Sequence, residues 1–329
     1  MTTPTKLHLS EVPAALASKI DLFVCSASFE DRCLSIPLAL PQSRVVQALV
    51  CANADFDEYL SANQRKLVDH FGSKASPVDL WQNNPVAAFD SLRRALLPGV
   101  KTGPKAVVVD ATTFTHEGLL LLLRLLSIQT TPADSVTILY APAAEYAVGL
   151  SNPDKWLSRG LREVRSVLGF PGLMGPSRKL HLIVLVGFEG ERARLLIDAC
   201  EPDVISLGRA NDATDTNQTH VSINLDTLEQ LSVHYPEFDR FAFSSVDVEA
   251  TVLALSTQMD RYVGYNTIVA PMNTKLSTIG AALFALSRPA VQLCYAPALT
   301  YNYPAYSAAS DYCLLIPLTF PRLTASEGS

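Results

Sequence analysis

One order of residues occurs twice in this chain: an apolar run, one or more small residues, Phe-Glu, and then an Arg. It reads Leu22-Phe-Val-Cys-Ser-Ala-Ser-Phe-Glu-Asp-Arg32 in the first half and Leu182-Ile-Val-Leu-Val-Gly-Phe-Glu-Gly-Glu-Arg192 in the second. A short, uninterrupted apolar run with no alternation is the pattern of a strand covered on both faces, and the charged turn after it suits the entry to a helix. Further anchors recur in the same order. Asn53 and Asn211 stand at nearly equal distances after Phe29 and Phe188. Tyr140-Ala-Pro-Ala143 is followed by Tyr146, and Tyr295-Ala-Pro-Ala298 by Tyr301. Thr112 with Gly118 has the spacing of Thr274 with Gly280. Anchors in register, each at the end of an expected strand, indicate internal duplication.

Between the anchors, apolar runs alternate with helical patterns. Helical signals include the Asn84-Pro85 start and a Leu-rich helix over 115–128 that is apolar almost all round and therefore expected to be deeply buried. This alternation predicts an α/β protein of two related Rossmann-like halves with mainly parallel sheets. The expected organisation is a loose lead-in over 1–19 and a first half over 20–150. A charged helix (154–168) and a Gly/Pro linker follow within 151–179, then a second half over 180–318 and a tail over 319–329. The apolar run 312–316 is expected to add an edge strand.

Composition narrows the function classes. The formal net charge of −6 disfavours a general nucleic-acid binder. No secretory signal is visible and the longest apolar run is too short for a bilayer, so the expectation is a cytoplasmic protein without membrane contact. The six Cys include no C-x-x-C pair, and the six His include no His-x-x-x-His, so no metal site is expected. The glycine fingerprints of dinucleotide and P-loop folds and the Gly-x-Ser-x-Gly elbow are missing, and no cofactor is expected.

The polar residues at the expected strand ends are the candidate site, because open α/β sheets bind ligands beyond the carboxyl ends of their strands. Ser26, Ser28, Glu30 and Arg32 lie on the first turn, where Arg32 suits a phosphate and, alternatively, Ser28 caps the helix while Glu30 pairs with Arg32. Asp110, Thr112, Thr115, His116 and Glu117 form the most polar strand end of the first half. They suit a ribose or an acid/base role, with Glu30, Asp110 and Glu117 as catalytic candidates. Asn53 and Asn211 suit ribose or base. Arg192, Thr274 and Lys275 are the candidates of the second half, with Lys275 suited to an anion beside a helix start.

The opening strand and turn, from Asp21 to Arg32, resembles the start of a TIR domain, although no later stretch supplies that family's catalytic Glu. The second half is similar to a CARF domain over Leu182-to-Arg192, the strand at 203–207, and Pro271-Met-Asn-Thr-Lys-Leu-Ser-Thr-Ile-Gly-Ala-Ala282 with Val291-Gln-Leu-Cys-Tyr295; it lacks the glycines usual around the Thr-Lys pair. SAVED domains resemble two such halves fused. This resemblance implies a sensor of a nucleotide-derived signal in a prokaryotic defence system, acting through a separate effector protein or a homo-oligomer, with the ligand between or above the halves. Two other classes remain open: a nucleotide hydrolase or transferase, and a protein–protein scaffold docking through the Tyr-rich stretch 301–312.

Overall fold

The computed structural model describes residues 4–97, 105–147, 156–211, 218–303 and 306–322. In chain order the first elements are β1 (Thr5–His8), α1 (Val12–Ala15), β2 (Ile20–Ala27), α2 (Arg32–Ala39), β3 (Val45–Asn53), α3 (Asp57–Phe71), β4 (Ala75–Leu80), α4 (Pro85–Leu96), β5 (Ala106–Asp110), α5 (His116–Gln129), β6 (Ser135–Tyr140) and β7 (Ala143–Tyr146). Then come β8 (Ser158–Arg159), β9 (Arg165–Pro171), β10 (Leu180–Leu185), α6 (Gly190–Cys200), β11 (Val204–Ala210), α7 (Gln218–His234), β12 (Asp239–Phe243) and α8 (Val248–Met259). The last are β13 (Asn266–Pro271), α9 (Lys275–Ser287), β14 (Gln292–Tyr295), β15 (Thr300–Tyr301), β16 (Ser307–Ala309) and β17 (Tyr312–Leu318).

The chain forms two compact units: unit 1 is Met1–Ala147 with Asn302–Thr319, and unit 2 is Val148–Tyr301 with Phe320–Ser329. Each is a Rossmann-like α/β layer. The sheet of unit 1 runs β1-β17-β6-β5-β2-β3-β4 and that of unit 2 runs β12-β11-β10-β13-β14-β9. Five strands of each are parallel and follow one path. The chain starts centrally (β2 or β10), lays two strands to one side, then crosses back and lays two on the other. The switch in direction falls between β2 and β5 and between β10 and β13, the place where such sheets open a crevice. Antiparallel strands complete the far edge: β17 beside β6, with β1 beyond it, and β9 beside β14.

The apolar runs end up in the cores as their pattern requires. In unit 1, Phe23, Cys25 and Ala27 of β2 pack with Ile36 and Leu40 near α2 and Leu67 and Phe71 of α3. In unit 2, Leu182, Val184 and Val186 pack with Leu196 and Ile197 of α6 and Leu228 and Leu231 of α7. Helix α5 is buried from Glu117 to Leu126 except at Arg124, as its all-round apolar sequence demands.

Four expectations need correction. The lead-in is not loose, since β1 pairs with β17 and Val12 is fully buried. Residues 156–168 of the stretch expected to be helical are not a helix. Gly160 sits at φ +70, a left-handed conformation that ends any right-handed helix, and β9 pairs with the edge of β14 while burying Val167 and Phe170. Asp154 and Lys155 lie outside the described residues. The run 312–316 is not an edge strand of the second half, because β17 lies between β6 and β1 in unit 1. Finally, the helix caps make Thr115 the counterpart of Thr274. Each is the N-cap of its helix and accepts from the backbone N–H three residues on, so Thr112 and Gly118 are displaced from that anchor. The Phe and Tyr anchors coincide in register. Val24 pairs with Val109 as Ile183 pairs with Val269, which puts Phe29 opposite Phe188 in the comparison. Tyr140 and Tyr295 each end the fifth parallel strand, and Asn53 falls one residue short of Asn211.

Two predictions follow from the packing. Leu122→Asp places an unpaired charge at a fully buried position of α5. It should cost several kcal/mol, about the whole stability of an ordinary domain, and be read as loss of the cooperative melting transition of unit 1. At the amino end of the sheet in unit 2, His181 is fully buried, its Nε2 lies 2.6 Å from Ser206 Oγ, and Gln258 also donates to that hydroxyl. Burial lowers the His181 pKa from 6.5 to about 4. The unfolded chain therefore takes up a proton before the folded one. Stability is complete above about pH 6.5 and falls by roughly 3 kcal/mol as pH drops to about 4. Denaturant titrations of wild type and His181→Gln at pH 7 and pH 5 should show a smaller pH-dependent loss in the variant.

Candidate functional site

The polar residues expected at strand ends gather at the carboxyl end of each sheet, one set per unit. In unit 1, Ser26 and Ser28 leave β2, and Asp110 and Thr112 leave β5, on the two sides of the switch point. Thr113 Oγ1 donates to the Ser26 carbonyl across it at 2.6 Å. The Ser28 hydroxyl accepts from the Glu30 N–H, and its carbonyl accepts from Asn63 Nδ2 of α3 at 3.0 Å. Thr115 caps α5, and Glu117 is buried in the first turn of that helix. Asn53 lies farther out, at the end of β3, bonded to Gln82 at 3.3 Å.

Arg32 does not face a ligand. Its side chain is 4% exposed and that of Glu30 is 8% exposed. Nε and Nη2 donate to Glu30 Oε2 at 3.0 and 2.7 Å, Nε also reaches Ser307 Oγ at 3.0 Å, and Nη1 donates to the Ala141 carbonyl at 3.1 Å. The Ser307 hydroxyl donates to Glu30 in turn. The ring of Tyr146 lies 5.4 Å from the guanidinium carbon, and Phe29 packs edge-on against Tyr303 and Tyr306 at 4.8 and 5.3 Å between centroids. The local reading in which Glu30 and Arg32 pair is the one this geometry carries. A phosphate would have to displace an ion pair and two further hydrogen bonds to reach Arg32.

Unit 2 repeats the arrangement. Arg192 pairs with Glu189 and donates to Ser158 Oγ at 3.0 Å, and the Ser158 hydroxyl donates to Glu189. Asn224 of α7 matches Asn63 by donating to the Gly187 carbonyl at 3.1 Å and to that of Val186 at 2.7 Å. Asn273 Nδ2 donates to the Val186 carbonyl at 2.7 Å, so a side-chain amide spans the switch point of unit 2. Gly187 is required there, because a Cβ would stand 2.0 Å from the Met272 carbonyl oxygen. Thr274 caps α9 and Lys275 is its first residue, half-buried, at the position His116 holds in α5. Asn211 is exposed just beyond β11.

Asp110 sets unit 1 apart. It is 2% exposed, and one oxygen, Oδ1, takes both bonds from Thr112, one from its N–H at 3.0 Å and one from its hydroxyl. The other oxygen takes no hydrogen bond from any described residue. Burial pushes this carboxyl up from 3.8 to about 7, against the lowering effect of the Thr112 bonds and the Arg32 charge. By strand register its counterpart in unit 2 is Ala270, fully buried and apolar. The fold therefore does not require an acid here. Of the three catalytic candidates, Glu30 is committed to Arg32 and Glu117 is buried in the first turn of α5, which leaves Asp110 as the group poised to exchange a proton near neutrality.

Sequence reasoning missed Asn63 and Asn224, two buried amides at the same turn of α3 and α7, and Ser158 and Ser307, which approach from remote parts of the chain. A polar residue on the apolar stripe of an amphipathic helix was the available signal for the first pair; the serines have none. Among the described residues no three His, Cys, Asp or Glu side chains gather as a metal would need. No helix among them is long and apolar enough to cross a membrane.

No family model matches this chain and no curated protein matches it. Solved structures similar to it include a SAM-dependent methyltransferase from Leishmania major, 13% identical over 42% of this chain and 49% of that one, with a TM-score of 0.25. The chain thus spans about half the length of that methyltransferase. The cytoplasmic domain of a prokaryotic cation chloride cotransporter is 11% identical over 87% of this chain and 99% of that one (TM-score 0.26). The N-domain of a bacterial malonyl-CoA reductase with NADP is 9% identical over 82% and 79% (TM-score 0.23). Likeness at this level carries no functional argument.

The buried carboxyl has a measurable consequence. Because the folded-state pKa of Asp110 is raised, the unfolded chain loses this proton first, and the group lowers stability increasingly as pH rises from about 4 to about 7. Asp110→Asn keeps an acceptor for Thr112 without the charge. It should melt above wild type at pH 8 by the equivalent of a few kcal/mol and converge with it near pH 4.

Proposed function

We propose that this protein binds a nucleotide or nucleotide-derived small molecule at the carboxyl end of the sheet in unit 1, and that its two units descend from one duplicated module. The observation that carries the binding reading is Asp110: a buried carboxyl at the switch point, with one oxygen unbonded among the described residues, where the equivalent position of unit 2 is alanine. A group that lowers stability and is not needed by the fold marks a place kept for a ligand. Asp110 suits a hydroxyl or N–H donor such as a ribose or a base edge, held beside Thr112. The nucleotide class comes from the resemblance of the Thr274-Lys275 stretch to sensor domains. The duplication is supported by the shared strand path and by the register of Phe29 with Phe188 and Tyr140 with Tyr295.

The test is calorimetric titration of wild type, Asp110→Asn and Lys275→Ala with mono-, di- and cyclic nucleotides. Wild type should bind at least one, and Asp110→Asn should bind it about tenfold or more weakly while melting at least as high as wild type at pH 8. Lys275→Ala should leave the affinity unchanged. Loss in Lys275→Ala alone would move the site to unit 2, and the absence of binding by wild type would end the nucleotide reading.

A further inference from the structure

The repeated Phe-Glu-and-Arg motif is left unused by a ligand site centred on Asp110, and the chain path gives it another task. After β7 the chain leaves unit 1 and supplies β8 and β9 to unit 2; after β15 it leaves unit 2 and supplies β16 and β17 to unit 1. The two supplied segments match in register. Ser307 pairs with Tyr146 in the β7–β16 ribbon, and Ser158 pairs with Tyr301 in the β8–β15 ribbon; Tyr146 and Tyr301 are the equivalent tyrosines that follow the two Tyr-Ala-Pro-Ala turns. Leu314 lies as far beyond Ser307 as Arg165 lies beyond Ser158, and these two residues pair with Tyr140 and Tyr295 respectively. Beyond the two serines the supplied segments share almost no sequence, so the match lies in pairing and hydroxyl placement.

We propose that the motif is the receiving half of a strand-exchange latch. Its Glu–Arg pair, at the head of α2 in unit 1 and of α6 in unit 2, captures the serine hydroxyl of a ribbon strand contributed by the sister module. Each module thereby gives away its last two strands and receives their equivalents. The partner that each open edge (β6 with β7, β14 with β15) fits is the two-strand tail of a module of the same kind. The same three contacts recur in both units: in each, Arg donates to Glu and to Ser, and Ser donates to Glu. A charged pair removed from water is held in place when its remaining bonding capacity is met, and here the incoming serine helps to meet it.

Amide hydrogen exchange by mass spectrometry on the full chain tests this crosswise. Ser158→Ala should speed exchange roughly tenfold or more over 156–171 and at Thr300 and Tyr301, leaving 143–146 and 306–318 at wild-type rates. Ser307→Ala should do the converse. Ser158→Thr and Ser307→Thr keep the hydroxyl and should retain wild-type protection, which separates the latch from general sensitivity of the site. The proposal is overturned if Ser158→Ala loosens the ribbon of unit 1, if neither alanine variant changes exchange, or if the threonine variants loosen as much as the alanine ones. None of these outcomes depends on nucleotide binding.

Discussion

A parallel sheet that stops at β6 or β14 leaves a row of backbone N–H and C=O groups without partners, and a good part of the connectivity of this chain is the solution to that problem. Each edge is closed by an antiparallel strand that arrives from the far side of the chain, β17 for unit 1 and β9 for unit 2. Parallel strands in these units are apolar on both faces, as β2 and β10 are, so the closing strand must itself be largely apolar. β17 buries Cys313, Leu314, Ile316 and Leu318, and β9 buries Val167 and Phe170.

Burial of apolar side chains on β17 and β9 already constrains their register. The Glu–Arg–Ser groups at the sheet ends add a discrete point of attachment. A buried ion pair contributes little net stability, because desolvation offsets the Coulombic gain, but it is costly to leave incompletely bonded. Such a group is suited to fixing where a strand docks. The same three side-chain types meet at two places whose flanking segments share almost no sequence.

Asp110 has the opposite character. Its surroundings disfavour the ionised form, whereas the matching position in unit 2 is Ala270 and Asn273 reaches the Val186 carbonyl across the switch point. Two layers with one strand path thus differ at the switch point, where side chains are least constrained by packing.

Local sequence determined the layers. The runs at 22–25 and 182–186 are buried strands because no other element hides so short an apolar run on every side, and α5 is buried because it has no polar face. Asn84, Thr115 and Thr274 start helices because their side chains satisfy backbone N–H groups that the helix itself cannot. The pairing of Glu30 with Arg32 was legible from their closeness in sequence. What only the tertiary structure decided depended on distant chain segments. The stretch 154–168 has helical charge spacing, yet the unpaired edge of β14 and the left-handed Gly160 make its described part, from residue 156, a strand and its approach. Ser307 sits beside Glu30 although almost the whole chain separates them in sequence, so no local pattern marks it. The protonation of Asp110 was equally hidden: a lone Asp after a Val-rich strand is ordinary in sequence, and its raised pKa comes from burial, which only the assembled layers create.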